Sequence, residues 1–184
     1  MKKIFFLALL TVLVLSCAAA QQTTRQTAAA DITLAFTRQG GTASNQFVVW
    51  IEDAQGNYIK TLYATRWAAT GGWKKRPAAI PVWVSKSSLS DMTKNQIDAF
   101  SGATPRTGTC TYTWDGTDSR GAAVPDGEYA VVLEGNLRWE NRVMCRAPIL
   151  LGQGPATPNV SIAYTGDNAA ERAMIADVKV QVLR

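Results

Sequence analysis

The sequence predicts an all-β fold, an antiparallel β-sandwich with one short helical segment, and three observations carry that prediction. Short apolar runs, alternating or continuous, recur along the chain in about eight or nine strand-length pieces. Gly-, Asn- and Asp-rich turns such as Gly40-Gly41, Gln55-Gly56-Asn57 and Asp126-Gly127 separate them. Only residues 85–100 space their apolar side chains near the helical period, so the crossover helices of a βαβ arrangement are missing. A closed β-barrel is the alternative architecture.

The elements follow in chain order. Ile32, Leu34 and Phe36 alternate with polar or small residues and give a first half-buried strand. Residues 46–52 hold the continuous run Phe47-Val48-Val49-Trp50-Ile51, the pattern of a strand covered on both faces. After the turn at 53–57, residues 58–63 alternate and complete a hairpin. Residues 66–79 read as a long loop carrying Trp67, Trp73 and the basic Lys74-Lys75-Arg76. Those side chains either form an exposed anion- or sugar-binding face or pin the loop to the sheets. Residues 80–84 read as a short edge strand because of Pro81. Residues 85–100 read as one short helix, with Ser88 or Ser90 as its cap. Cys110, Tyr112 and Trp114 alternate with threonines, an apolar inner face with β-branched residues outside. Tyr129, Val131 and Leu133 repeat the pattern, and residues 142–151, 160–164 and 174–183 supply three further strands.

Composition narrows the function classes. The chain has 184 residues, 47% hydrophobic and 18% charged, with no His and a net charge of +5. Without His there is no Ser-His-Asp triad, no Cys-His dyad and no His-built metal site. The basic residues are scattered, so no nucleic-acid partner is expected. No nucleophile–base pair stands out, and the chain is not expected to be an enzyme.

The N-terminus reads as an export signal. Lys2 and Lys3 precede an apolar run over residues 4–15 that is too short to span a bilayer. The run ends in Val14-Leu15-Ser16-Cys17, which resembles a bacterial lipobox. That resemblance implies cleavage before Cys17, a diacylglycerol on its sulfur, and an outer-membrane lipoprotein facing the periplasm, since Ala18 rather than Asp follows. Cleavage after Ala20 and a soluble periplasmic product is the alternative. The expected division is a signal peptide over 1–16, a flexible tether over 17–30 and one sandwich domain over 31–184. Export to an oxidising compartment leaves Cys110 and Cys145 as an even pair, read as a disulfide or as two buried reduced thiols.

Two motifs stand out. Trp114-Asp115-Gly116-Thr117-Asp118-Ser119-Arg120-Gly121 and Val124-Pro125-Asp126-Gly127-Glu128-Tyr129 form a tight corner between two strands. This corner resembles that of immunoglobulin-like modules such as the sandwich domain of the flagellar hook-capping protein, and so implies an immunoglobulin-like sandwich. Its carboxylates read as turn caps rather than calcium ligands.

The second motif is Asp98-Ala99-Phe100-Ser101-Gly102-Ala103-Thr104, which resembles the attachment motif of exported proteins that carry covalent FMN. The resemblance implies that a flavin transferase joins FMN through its phosphate to the hydroxyl of Thr104. Gly102 and Ala103 give the loop room, and Asp98 orients it or assists at the donor's metal. An ordinary surface loop leading into a strand is the alternative reading. Pro105 then biases Thr104 toward extended backbone.

The order of Val49-Trp50-Ile51-Glu52-Asp53, Tyr58-Ile59-Lys60-Thr61-Leu62, Lys75-Arg76-Pro77, Pro81-Val82-Trp83, the 98–105 loop and the 114–129 corner resembles the exported bacterial family known as domain of unknown function 2271. The likeness runs over about residues 31–151. Its association with membrane flavin and PepSY-type redox proteins implies an extracytoplasmic electron-transfer protein with a membrane or envelope redox partner. One stretch departs: relatives tend to carry Arg-Glu-His after the Tyr129 strand, and Arg138-Trp139-Glu140-Asn141-Arg142 has no His. A non-catalytic binding or assembly module of the envelope is the alternative function.

Overall fold

A computed structural model describes residues 28–41, 43–167 and 174–184. Among the described residues, nine strands form two sheets. The strands are β1 (Ala30–Phe36), β2 (Gln46–Asp53), β3 (Tyr58–Thr65), β4 (Ser101–Gly102), β5 (Gly108–Trp114), β6 (Gly127–Arg138), β7 (Asn141–Leu151), β8 (Ser161–Thr165) and β9 (Ile175–Val182). The small sheet has the order β5-β1-β9 and the large one β4-β3-β2-β6-β7-β8. All pairings are antiparallel except the two-residue match of β4 with β3. The sheet does not close into a barrel, and the sandwich reading holds.

Alternation along the strands sorts side chains into two cores. From β2, Phe47, Val49 and Ile51 join Ile32, Leu34 and Phe36 of β1 and Val131 and Leu133 of β6 between the sheets. Val48 and Trp50 point the other way, into a second core with Ala130, Val132, Trp83 and Leu89. The unbroken apolar run of β2 therefore reflects burial on both faces. Gly135 of β6 lies where a Cβ would sit 2.7 Å from Ile175 Cδ1 and 3.0 Å from Val143 Cγ1, so a side chain there would make those two repack.

The second core is covered by helical turns, and here the structure corrects the sequence reading. Residues 80–84 are not an edge strand: they open helix α2 (Pro81–Ser87). Pro81 occupies the first helical position, where its missing N–H costs nothing. Residues 85–100 are not one helix. They comprise the end of α2, a 3-10 turn over Leu89–Asp91 and helix α3 (Lys94–Phe100). Thr93, not Ser88 or Ser90, caps α3 through a capping box with Gln96. The 66–79 segment is not loop throughout, since it holds a π-helical turn (Ala68–Gly72) continuing into α1 (Trp73–Lys75). Three short helices thus replace the single helical segment expected. Order also begins earlier than residue 31: Ala29 and Ala30 are buried, and the Ala29 N–H donates to the Trp114 carbonyl at 2.7 Å.

Two buried carboxylates fasten this helical layer. Glu134, fully buried on β6, accepts from the backbone N–H groups of Trp83 (2.9 Å) and Val82 (3.4 Å) at the start of α2, and pairs with Arg142 at 3.0 Å. Burial pushes its carboxyl above the ordinary value, against the pull of those amides and Arg142. Glu52 on β2 pairs with Lys86 of α2 at 2.8 Å and with Arg146 of β7, and accepts from Trp50 Nε1 at 3.0 Å. Burial pushes this carboxyl up as well, but Lys86, Arg146 and Trp50 together outweigh it and hold it below the ordinary value.

Glu134→Ala should cost about 3–5 kcal/mol in urea unfolding, because it strands buried donors, and Glu134→Gln should cost less. Glu52→Gln should cost about 1.5–3 kcal/mol at neutral pH. A carboxyl with a lowered folded-state pKa contributes stability above its ordinary value of 4.5 and loses it as pH falls. The gap between wild type and Glu52→Gln in urea melts should therefore narrow below that pH.

Candidate functional site

Helix α3 leads straight into the motif loop. Its last residue, Phe100, packs edge-on to Trp83, with ring centroids 5.8 Å apart, and this fixes the exit of the helix. Ser101 and Gly102 then bond beside Ala64 and Thr65 of β3. The chain leaves the large sheet at Ala103 and joins the small sheet at Gly108, where β5 begins. Residues 103–107 thus cross from one sheet to the other at the edge of the sandwich where β3 and β5 face each other. Thr104 lies in this crossing, half-buried, in irregular backbone outside both ladders. Ala103 beside it is exposed, and Asp98 is exposed on α3.

The crossing is held at both ends. Tyr63 Oη donates to the Ala103 carbonyl at 2.7 Å, and Thr107 Oγ1 accepts from the Arg38 N–H at 3.0 Å. A Cβ on Gly102 would lie 2.7 Å from the Tyr63 ring, so that position accepts only glycine without displacing the ring. Ser101 Oγ is buried with no hydrogen-bond partner among the described residues. Asp98, Ser101, Gly102, Ala103 and Thr104 therefore occupy one continuous helix end and bend.

Aromatic rings support the bend from below. Tyr63 of β3 stacks on Tyr112 of β5 with centroids 4.7 Å apart and planes 25° apart, and Phe47 and Phe36 continue the series inward at 5.2 and 5.3 Å. Both tyrosines are half-buried. Burial, with the neighbouring Cys110 thiol adding to it, pushes the Tyr63 phenol up to about 12 and the Tyr112 phenol higher still. Both phenols stay neutral at physiological pH. Sequence reading used Tyr63 and Tyr112 only as strand residues, since their link to the motif exists only across the two sheets.

Helix α3 also stands between two clefts. One of about 380 Å³ is lined by Tyr58, Lys60, Thr61, Asn95, Gln96 and Phe100. The other, about 400 Å³, has Trp73, Lys74, Met92, Ile97 and Asp98 in its walls. In the corner motif, Trp114 is buried edge-on to Tyr129 at 5.3 Å. Asp115 accepts from the Thr117 N–H at 3.0 Å and pairs with Lys60, while Asp118 accepts from the Arg120 and Ala122 N–H groups. These carboxylates are occupied as turn caps, and no group of metal-ligating side chains occurs among the described residues. Arg76 stacks between Trp67 and Trp139, 5.6 and 5.2 Å from the ring centroids, and donates to Ser44 Oγ. The two indoles remain 40% and 52% exposed.

Of the two readings of the cysteine pair, the structure carries the reduced one rather than the disulfide: Cys110 and Cys145 are free thiols, the first half-buried and the second buried. Both point between the sheets, but from different places. Cys110 sits on β5 opposite β3, beside Tyr63 and Tyr112, whereas Cys145 on β7 packs among Ile32, Leu133, Val178 and Val180. The two thiols therefore line different parts of the core, Cys110 beside the tyrosines and Cys145 against β9. Cys17 lies outside the described residues.

A family model described as "Predicted periplasmic protein (DUF2271)" matches residues 27–168. No curated protein and no solved structure matches the chain.

Burial pushes the Cys145 thiol up to about 12, and its side chain is buried. A thiol-specific reagent should therefore modify Cys110 in the native protein and reach Cys145 only on unfolding, as read by peptide mass mapping.

Proposed function

The chain belongs to the DUF2271 family of predicted periplasmic proteins, and from that premise we propose that it is an electron-transfer protein of the cell envelope carrying FMN on Thr104. The observation that supports this most is the placement of Thr104. It sits, half-buried, in a bend outside both ladders, and bonds on either side, from Tyr63 to Ala103 and from Arg38 to Thr107, hold that bend in place. An acceptor inside a strand would have to leave its ladder to enter a modifying enzyme; this one does not.

The attachment balances as a transfer from a flavin dinucleotide. A phosphodiester bond forms between Thr104 Oγ1 and the FMN phosphorus, the pyrophosphate bond breaks, AMP leaves, and the threonine proton passes to the transferase. Pro105 and the Gly102–Tyr63 contact restrict the loop, so little conformational freedom is lost on docking. Once bound, the flavin supplies reversible one- and two-electron chemistry. The chain's own part is to hold it at the sandwich edge and present it to a redox partner in or on the membrane. In this reading the protein is a carrier and turns over no substrate of its own. A lipid on Cys17 would keep it at the membrane surface.

A second reading has its own support. The Trp67–Arg76–Trp139 stack and the edge strand β8, exposed at every position, would suit a binding or assembly module.

Coexpression with a flavin transferase should add the mass of FMN less water and a yellow absorbance. Thr104→Ala should abolish both while changing stability by less than about 0.5 kcal/mol. A colourless, unmodified wild type would leave the binding-module reading. Incorporation of labelled lipid, lost in Cys17→Ala, tests the anchor.

A further inference from the structure

The residue that precedes Thr104 is bonded to one of two stacked tyrosines, and this deepens the reading just given. We propose that the exposed part of the Tyr63–Tyr112 pair is the seat on which the isoalloxazine ring of a Thr104-linked flavin stacks. The inference rests on the FMN reading.

Four features of the chain lead to it. Tyr63 donates to the Ala103 carbonyl at 2.7 Å, so the phenol lies one residue from the acceptor. The ribityl arm between phosphate and ring spans such a separation easily. Next, the 103–107 crossing and the two tyrosines share one edge of the sandwich, because the crossing joins β4, which pairs with Tyr63's strand β3, to Tyr112's strand β5. The pair is also rigid: Tyr63 is flanked by Phe47, Tyr112 and Gly102, and the rings run inward to Phe36. A surface fixed in advance loses little entropy when a ring settles on it. Finally, the chemistry matches. Both phenols are neutral and electron-rich, the isoalloxazine is flat and electron-poor, and such aromatic contacts contribute about 0.5–1.5 kcal/mol beyond buried area.

A tyrosine in van der Waals contact with a flavin quenches its fluorescence, because the phenol passes an electron to the photoexcited ring and recovers it in the dark. Phenylalanine keeps the ring and the packing but lacks this donor. The experiment therefore compares wild type, Tyr63→Phe, Tyr112→Phe and the double variant. Each is flavinylated in cells and checked for one FMN by intact mass and for folding by circular dichroism. Emission per bound flavin in the wild type should be several-fold below that of free FMN, and the double variant should recover most of it. Tyr112→Phe is decisive, since it leaves the Tyr63–Ala103 bond in place. Fully loaded wild type as bright as free FMN, or equal quenching in all four proteins, overturns the seat while leaving the attachment intact. Absence of the added mass overturns the FMN reading and the seat with it.

Discussion

The structure depends on one constraint: the strand pair β2–β6 must be dry on both faces. Their register runs unbroken from Gln46 opposite Asn136 to Asp53 opposite Tyr129. Each strand sends alternate side chains into separate cores. Removing either cover would expose one half of an apolar run that has no polar side to show water. The three-stranded sheet covers one face. The other needs a second layer, and the chain builds it from the segment between β3 and β5.

That second layer is short of intrinsic stability. Its helices span seven residues or fewer, below the length at which isolated helices persist in water. Tertiary contacts compensate. Trp83 fills the space over Thr61, to which its Nε1 donates at 2.9 Å, and Phe100 packs against Trp83. The buried carboxylates of Glu134 and Glu52 tie α2 to the sheet. Buried ions are costly in themselves, so these two act mainly by fixing where α2 begins and which side chains face the sheet. The helical layer in turn decides where α3 ends, and hence where the Asp98–Thr104 segment emerges.

The site sits at the seam between the layers. Ser101 and Gly102 belong to the large sheet, Gly108 starts an edge strand of the small one, and the bend between them is short. Tyr63 reads both sides of this seam: it packs against Gly102, bonds to Ala103 and stacks on Tyr112. A bend held at Ala103 and at Thr107, with Ala103 and Arg106 exposed between the sheets, combines a defined position with access to solvent.

Much of this was legible in the residues alone. Strand periodicity placed β1, β2, β3, β5 and β7 to β9 within a residue or two, and the first half of β6, because a period of two over a half-buried sheet leaves a direct record in the order of apolar and polar residues. The 98–104 motif was legible for the same reason that any local constellation is: its members are contiguous. What the order of residues did not decide was everything set by contact at a distance. Pro81 suits a strand edge and a helix start equally well, and only the Glu134 carboxylate waiting on β6, more than fifty positions away, selects the helix. Likewise, two cysteines on inward-facing positions look like partners until the packing gives each different neighbours, and two tyrosines on separate strands look like ordinary core until the sheets bring them together under the loop. Local pattern fixes which way a side chain points; packing between elements fixes what it meets.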